Sequence, residues 1–169
     1  MPVPEPISVT SPVDSITDWF SVLIDECEPD EKLDLLTRDA AKVFGVSMVM
    51  INLVTDDEIV FKACVGETQG KRIARSGAFC SLAVTTEQPL MVPNALIDPR
   101  FKNYQLVTGP AGVRAYLGKS LHAPDGSLIG TFCLFDTKPR TFSAEEVELL
   151  TDFATMADEQ LALILSGRR

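Results

Sequence analysis

An arginine and a tyrosine two positions apart in a β-rich run suggest a place where a ligand is held. Arg114 and Tyr116 fall in the predicted strand 113–123, so alternation points both side chains to one face of the sheet. A guanidinium and a phenol that project together can hold an anionic or carbonyl-bearing ligand. The alternative is structural, with Arg114 paired to Asp98 or Asp136 and thereby holding a long loop against the sheet.

The cysteines offer a second kind of chemistry. The chain has four, namely Cys27, Cys64, Cys80 and Cys133. None is part of a C-x-x-C pair, and cysteines spread through apolar runs behave as small hydrophobic side chains in a reduced compartment. Phe79 and Cys80 open a predicted short helix whose free N–H groups would lower the pKa of a nearby thiol. Cys80 is therefore either redox-active or simply buried, and its approach to Cys64 or Cys133 across a pocket stays open.

Other catalytic signatures are missing from the sequence. His122 is the single histidine, so no second imidazole is available to share a metal ion, and no metal site is predicted. The sequence contains neither a G-x-x-x-x-G-K-[ST] phosphate loop nor a G-x-G-x-x-G motif. The acidic residues 56–58 lie in a predicted hairpin turn and those at 145–148 at a helix start, where the helix dipole explains them. We therefore expect no enzymatic activity.

Composition predicts one globular domain with an acidic surface. The chain has 169 residues, of which 46% are hydrophobic and 23% charged, and its formal net charge is −9. That charge disfavours binding to nucleic acid and to anionic membranes. Residues 1–12 are rich in proline and read as an extended arm, and residues 13–169 read as a single domain. We see no secretory or transmembrane segment and expect a cytoplasmic protein.

The periodicity of apolar residues predicts the order helix, helix, hairpin, short helix, long loop, hairpin and long helix. The predicted helices are residues 16–27, Pro29 to the stop at Gly45, 78–86 and the helix that follows Ser143; the predicted strands are 46–54, 59–65, 90–92, 113–123 and 127–136; the predicted loops are 66–77 and 93–112. Tight hairpins imply an antiparallel sheet. We expect an α+β fold with the terminal helices on one face and a pocket under the short helix and long loop on the other.

The last helix carries the strongest local signals. Ser143 and Glu146 form a capping box, and Phe142 and Val147 occupy the positions of a hydrophobic staple. One apolar stripe faces the predicted sheet. A second stripe, which a helix on one sheet does not need, is formed by Leu149, Phe153, Met156 and Leu163. Either the same helix of a second subunit or the first predicted helix covers it.

The order of elements and a series of short motifs resemble the GAF domain family over residues 16–165. The segments that carry the resemblance are Asp34–Thr37, Val60–Ala63, Val65–Gly66, Ala78–Cys80, Pro89–Ala95, Asp98–Phe101, Val107–Gly109, Val113–Tyr116 and Ile129–Asp136. The likeness is greatest to bacterial signalling GAF domains that precede histidine kinase or diguanylate cyclase modules. It implies five or six antiparallel strands between two helical layers, with a pocket over one face, and it implies no particular ligand.

Two properties of the family bear on individual residues. Haem-binding members use an axial histidine and bilin-binding members a cysteine, but His122 precedes a hairpin turn, so neither pigment is expected. Free methionine-R-sulfoxide reductases of the family use a cysteine at the short-helix start, which Cys80 matches, and a nucleophilic cysteine in the long loop. The loop 93–112 has no cysteine, so the attacking group is missing here.

We therefore expect a sensory domain that binds an unidentified small molecule and signals through its terminal helices. The expected partners are a second subunit and a kinase or cyclase output module, and the cofactor is unknown. Phe101 and Tyr104 are expected to act as lid or plug residues, so that a ligandless dimerisation module is the alternative, with a thiol-based redox protein third. The predicted ligand-binding residues are Phe79, Cys80, Asp98, Phe101, Arg114, Tyr116, Cys133 and Asp136.

Overall fold

The fold is an α+β arrangement around one antiparallel sheet, as predicted. The computed structural model describes residue 23 and residues 29–67 and 71–167. Its helices are α1 (Glu31–Phe44), α2 (Cys80–Ala83), α3 (Gln105–Thr108) and α4 (Ala144–Leu165), and its strands are β1 (Met48–Val54), β2 (Glu58–Val65), β3 (Arg72–Ala74), β4 (Leu90–Val92), β5 (Ala115–His122) and β6 (Leu128–Asp136). Within these ranges, no helix combines the length and apolar character needed to cross a membrane.

The sheet has six strands in the order β3-β2-β1-β6-β5-β4. Every neighbouring pair is antiparallel. The two predicted hairpins, β1–β2 and β5–β6, are both present, and β1 and β6 pair at the centre of the sheet. Because β1 and β6 lie between other strands, their side chains are the ones that the layers on both faces must cover.

One face of the sheet, here called the inner face, packs against α1 and α4. Alternation along β1 turns Val49, Ile51 and Leu53 to this face, where they join Leu33 of α1 and Leu161 of α4 in one buried cluster. The apolar stripes of the two helices bury their large side chains in this way. The prediction that terminal helices form one layer is confirmed for α1 and α4. The predicted helix 16–27 lies outside the described residues except for Leu23, which is buried in the same cluster.

The opposite, outer face is covered by α2 and the segment 93–113. Met50, Phe61 and Phe135 of the sheet pack there against Phe79 and Phe101 in a second buried cluster. The two clusters lie on either side of the sheet because side chains alternate along each strand. The predicted covering of the second face by the short helix and the long loop is confirmed.

Local capping explains where the long helices begin and end. Asp30 accepts a hydrogen bond from the Leu33 amide and is the N-cap of α1, so the helix begins at Glu31 rather than at the predicted Pro29. Gly45 ends α1 in the left-handed conformation that glycine adopts without strain. Asp30 also accepts hydrogen bonds from the Gln160 amide, which joins the start of α1 to α4. The capping box of α4 is present as predicted.

Three predicted segments need correction. The segment 66–77 was predicted to be a loop but contains the edge strand β3, whose three residues are too few to show alternation. The loop 93–112 contains the single helical turn α3. The short helix is only the four residues of α2, not the predicted 78–86, because the Thr85 amide bonds to the Leu82 carbonyl three residues back and the α-helical pattern stops there.

The second stripe of α4 is split between the core and the surface. Phe153 is buried between Phe44 and Phe132, with ring centroids 6.0 and 5.7 Å away. Leu149, Met156 and Leu163 have exposed fractions of 36%, 38% and 42%. These three residues are seven positions apart, so they form one line along the helix.

A histidine ties α4 to the end of β5 and to the turn before β4. The Nδ1 atom of His122 lies 2.8 Å from Asp158 and its Nε2 atom 2.8 Å from Glu87, while the His122 amide also donates to Asp158. Lys119 lies 3.6 Å from Glu87. Burial lowers the pKa of His122, but its hydrogen bonds to Asp158 and Glu87 outweigh burial, and the net pKa is raised. His122 precedes a turn as predicted, yet its ring contacts two carboxylates.

The His122 contacts predict a pH-dependent stability. A histidine whose pKa is raised by folding stabilises the protein fully below its unfolded pKa of about 6.5, and this contribution is lost as pH rises through the folded pKa. We compare the free energy of unfolding of wild type with that of His122→Gln. We expect the advantage of wild type to be about 0.5–1 kcal/mol larger at pH 6 than at pH 8.5. Urea unfolding at both pH values measures this difference, and titration of Cys80, which is common to both proteins, cancels. A difference that does not change with pH would contradict the prediction.

Candidate functional site

A cluster of aromatic rings occupies most of the space above the outer face. The Phe79 ring lies at its centre, with ring centroids 4.7 Å from Phe101, 5.0 Å from Tyr116, 5.9 Å from Tyr104 and 6.2 Å from Phe135. The predicted plug residues Phe101 and Tyr104 thus both contact Phe79. Because these rings pack against one another, the space that the sequence left for a ligand is largely filled with side chains.

Two features of the sequence hold these rings in place. Phe79 precedes α2, whose single turn lies against β5 and β6. Tyr116 stacks on Phe79 with an angle of 15° between the ring planes. A Cβ atom at Gly118 would collide with the Tyr116 hydroxyl, so glycine at this position leaves the space that the phenol occupies.

A cavity of about 70 Å³ remains beside the aromatic cluster. Its polar lining consists of Asn52, Glu67, Lys71 and Cys80, and its apolar lining of Met48, Met50, Ile59, Phe61, Ile73, Ala78, Phe79, Leu106, Ala111 and Phe135. Glu67, Lys71 and Ala111 are exposed, so they mark the side that faces solvent. Pockets for drug-sized ligands measure roughly 300–1,000 Å³, so this cavity holds a few waters or a ligand of a few heavy atoms.

Asn52 is the polar side chain at the closed end of the cavity. It is 1% exposed, and its Nδ2 atom donates to the sulfurs of Cys80 at 3.1 Å and Cys133 at 3.4 Å. Its Oδ1 atom is buried and has no hydrogen-bond partner among the residues that the structure describes. A buried carbonyl oxygen without a donor costs about 1–3 kcal/mol, so it marks a place where a bound molecule can donate.

The main chain around Asn52 departs from a regular ladder. The pairing of β1 with β2 shifts register between Ile51 and Asn52. On the other side of β1, a Cβ atom at Gly130 would collide with the main-chain carbonyl oxygen of Asn52. Strand β6 therefore approaches β1 this closely only because residue 130 is glycine. Register shifts of this kind redirect side chains and are frequent next to binding sites.

Two thiols and a phenol lie next to Asn52. The Cys80 and Cys133 sulfurs are 3.7 Å apart, and the Tyr116 hydroxyl is 3.6 Å from the Cys80 sulfur. The hydrogen bond with Cys133 lowers the pKa of Cys80 to about 7 despite burial, with further help from Thr131, Tyr116 and Asn52. Burial and the neighbouring Cys80 raise the pKa values of Cys133 and Tyr116 well above their ordinary range.

The predicted site residues separate into two groups. Phe79 and Cys80 line the cavity, while Phe101, Tyr116 and Cys133 are buried in the cluster that bounds it. The cavity is not lined by Asp98, Arg114 or Asp136, whose side chains form hydrogen bonds with main-chain atoms. Asp98 accepts hydrogen bonds from Arg100, and Asp136 accepts one from the Thr137 amide.

Arg114 does not make either of the ion pairs that the structural alternative predicted. Its guanidinium donates to the carbonyl oxygens of Val107 and Val113, both at 3.0 Å. Arg114 therefore fastens α3 to the start of the following strand. This is the loop-holding role of the structural alternative, but the acceptors are main-chain oxygens and not the expected carboxylates. Arg114 also precedes β5 rather than lying within it, so the phenol of Tyr116 and this guanidinium do not converge on the cavity.

Asn52 is the site residue that sequence reasoning missed. It lies in the predicted strand 46–54, in which it is the one residue with an amide side chain. Asparagine is depleted in strands, and alternation places Asn52 on the same face as Met48 and Met50. A buried polar residue at the centre of an otherwise apolar strand was the signal that could have identified it.

Comparisons with known proteins agree with the fold. The model of the GAF domain family matches residues 28–161. A cyclic di-GMP phosphodiesterase of Pseudomonas aeruginosa is 28% identical over 128 residues, which are 75% of this chain and 22% of the relative. The chain therefore spans about a fifth of the length of that curated relative.

Solved structures give the same result. The free methionine-R-sulfoxide reductase of Neisseria meningitidis aligns with a TM-score of 0.66 at 19% identity, over 89% of this chain and 87% of that one. The GAF domain of an Acinetobacter phosphoenolpyruvate-protein phosphotransferase aligns at 0.65 and 17%, over 89% and 92%. A domain of a two-component sensor histidine kinase protein of Sinorhizobium meliloti, described as putative, aligns at 0.63 and 16%, over 81% and 93%. Identities this low show a shared fold.

The unpartnered carbonyl of Asn52 predicts that this residue lowers stability. In Asn52→Leu the buried oxygen is replaced by methyl groups of similar volume, and the amide loses only weak sulfur acceptors. We expect the free energy of unfolding in urea to rise by about 1 kcal/mol. The matched control is Ser120→Ala, because Ser120 Oγ is also buried, has no partner in the described part of the chain and does not line the cavity. A loss of stability in Asn52→Leu would contradict the interpretation.

Proposed function

Since the chain belongs to the GAF domain family, we propose that its sensory fold responds to a small molecule bound in the outer-face cavity. The observation that carries the proposal is the buried, unpartnered Oδ1 atom of Asn52 at the closed end of that cavity. A buried polar group that lowers stability is retained most readily where it contributes to binding. Cys80 supplies a second polar group at the buried end of the cavity, where the other lining residues are apolar.

The ligand class follows from the size and polarity of the cavity. A volume of about 70 Å³ suits a molecule of a few heavy atoms that carries at least one hydrogen-bond donor for Asn52. A larger ligand requires the Phe101 and Tyr104 rings to move off Phe79. The ion pair between Glu67 and Lys71 at the solvent side, 3.2 Å long, is exposed and opens at little cost.

We propose a binding role rather than catalysis. The Neisseria reductase shares the fold, but the loop 93–112 of this chain has no cysteine to serve as the nucleophile that the family's reductases use there. The second candidate is a ligandless dimerisation module. The observation in its favour is the packing of Phe101 and Tyr104 against Phe79, which occupies most of the predicted pocket.

A short series of contacts connects the cavity with the terminal helices. Cys133 lies next to Asn52, and the residue before it on β6, Phe132, points to the inner face. The Phe132 ring contacts Phe153 of α4, and Phe153 contacts Phe44 of α1. A change in the position of β6 at the cavity therefore reaches both helices through packed side chains, which deform little. We propose this as the route of transmission.

The proposed output follows from the relatives. The curated relative is a cyclic di-GMP phosphodiesterase, and one structural neighbour belongs to a sensor histidine kinase protein. We propose that the chain regulates an output module of one of these kinds, or a cyclase, in the cytoplasm. Because α4 receives the contacts from β6, we propose that it is the element that passes the state on.

We further propose that the exposed line on α4 packs against the same line of a second copy. Leu149, Met156 and Leu163 follow a spacing of seven residues, as in helices that pair side by side. A two-fold pair of such helices would bury all six side chains. A dimer of this kind couples the α4 helices of the two subunits directly.

A small alcohol tests the cavity. We expect propan-2-ol to bind in the millimolar range and to shift the amide NMR signals of Asn52, Phe79 and Cys80, with smaller shifts near Phe153. Acetone, which has a similar size but no donor, should bind about fivefold more weakly, since one hydrogen bond is worth about 1 kcal/mol. Asn52→Leu should remove the preference for the alcohol, and Ser120→Ala should keep it. Shifts confined to the surface in all three proteins would favour the ligandless module.

A charge on the α4 line tests the dimer. We expect Met156→Glu to convert a dimer to a monomer in sedimentation equilibrium, because the new carboxylate would be buried against its symmetry mate. Thr155→Glu is the matched control, since it adds the same charge at the neighbouring exposed position off the line. A monomeric wild type, or equal weakening by both variants, would contradict the proposed interface.

A further inference from the structure

The two buried thiols beside Asn52 form a pair that the binding role alone does not explain. The Cys80 and Cys133 sulfurs are 3.7 Å apart, so they are in contact and must approach each other by roughly 1.7 Å to reach the 2.03–2.05 Å of a disulfide. Both thiols are free and buried, whereas Cys64 lies partly exposed elsewhere, with its sulfur 3.0 Å from the Glu67 carbonyl oxygen. The pair joins the first residue of α2 to the central strand β6.

The two members of the pair are chemically different. Cys80 lines the cavity, and Cys133 does not. Hydrogen bonds from Tyr116 and Asn52 are directed to the Cys80 sulfur and favour its thiolate. The pKa of Cys80 is lowered to about 7, chiefly by the bond with Cys133, while burial raises the pKa of Cys133. Cys80 is thus the accessible nucleophile and Cys133 the neighbour placed to react second.

We propose that Cys80 and Cys133 form a reversible disulfide when hydrogen peroxide enters the cavity and oxidises Cys80. The inference rests on the proposed function only in that both use the same cavity. Its size suits this oxidant, because about 70 Å³ admits a molecule of two heavy atoms next to the Cys80 sulfur and excludes bulky peroxides. Asn52 Oδ1 supplies the acceptor for a peroxide hydrogen.

The chemistry has two steps. The Cys80 thiolate attacks one peroxide oxygen; an S–O bond forms, the O–O bond breaks, and hydroxide leaves, so that sulfur is oxidised to a sulfenic acid and peroxide is reduced. The Cys133 sulfur then attacks the Cys80 sulfur; the S–S bond forms, the S–O bond breaks, and the oxygen leaves as water with the Cys133 proton. A dithiol reductant reverses the change by thiol–disulfide exchange.

Disulfide formation changes the contacts around Asn52. The Asn52 amide no longer has a Cys80 thiolate to stabilise. Because the two sulfurs approach each other, α2 is drawn toward β6 at Cys133. Phe132, the residue before Cys133, lies on the inner face and contacts Phe153 of α4. Oxidation therefore acts on the same route that we propose for ligand binding, and it gives the domain a second input.

The test is oxidation of the full chain with equimolar hydrogen peroxide. The background carries Cys27→Ser and Cys64→Ser, which leaves the proposed pair as its remaining cysteines. We expect intact mass to fall by two hydrogen atoms, both thiols to become unreactive toward N-ethylmaleimide, and dithiothreitol to restore them. In Cys133→Ser we expect a sulfenic acid at Cys80 that dimedone captures. In Cys80→Ser we expect Cys133 to stay reduced.

A second measurement does not depend on these variants folding. Peptide mapping of oxidised wild type should recover a linked pair of peptides that contain Cys80 and Cys133. Filling the cavity with Ala78→Leu should slow oxidation about tenfold, since access to Cys80 limits the reaction. A linked peptide that contains Cys64 instead, a sulfenic acid first at Cys133, or no mass change would overturn the proposal.

The outcomes separate the two proposals. A protein that binds propan-2-ol through Asn52 but forms no disulfide contradicts only the redox inference. A protein that forms the disulfide but gives no alcohol response contradicts only the ligand proposal. If Ala78→Leu oxidises as fast as wild type, peroxide does not enter through the cavity and the inference fails even though the disulfide forms.

Discussion

The sheet is covered on both faces, and this constraint limits the partners that the polar side chains of its central strands can find. β1 and β6 pair at the centre, with α1 and α4 on one side and α2 and the segment 93–113 on the other. Most side chains of these strands are buried, so polar groups there must bond within the protein or to a molecule in the cavity, or lose the energy of hydration. Asn52, Thr131 and Cys133 therefore bond to one another or to Cys80.

The elements were predictable where the sequence contains a local signal. Alternating apolar runs with tight turns predicted both hairpins, and Ser143 with Glu146 predicted the start of α4, because capping and pleating are decided by residues close in sequence. β3 was missed since its three residues become a strand only by pairing with β2. A strand defined by its partner has no pattern of its own to read.

The site was less predictable because its geometry depends on contacts between distant segments. Phe79 and Cys80 were expected at the cavity and line it, since the short helix is a local feature. Arg114 was expected to bind a ligand or pair with a carboxylate, yet it bonds to the carbonyls of Val107 and Val113. No sequence pattern indicates which main-chain oxygens a folded loop presents. The same is true of the packing of Phe101 on Phe79, which sets the volume that remains.

The energy of a signal can be located within this arrangement. A ligand shifts an equilibrium only by the difference in its affinity for the two states. No described residue donates a hydrogen bond to Asn52 Oδ1, and a buried carbonyl oxygen without a donor costs about 1–3 kcal/mol in a domain whose total stability is of the order of 5–15 kcal/mol. A bound donor recovers that energy only while β1, β6 and α2 keep the positions that enclose it. Under the proposed function, binding favours one arrangement of β6, and the contact between Phe132 and Phe153 is the proposed route by which that preference reaches α4.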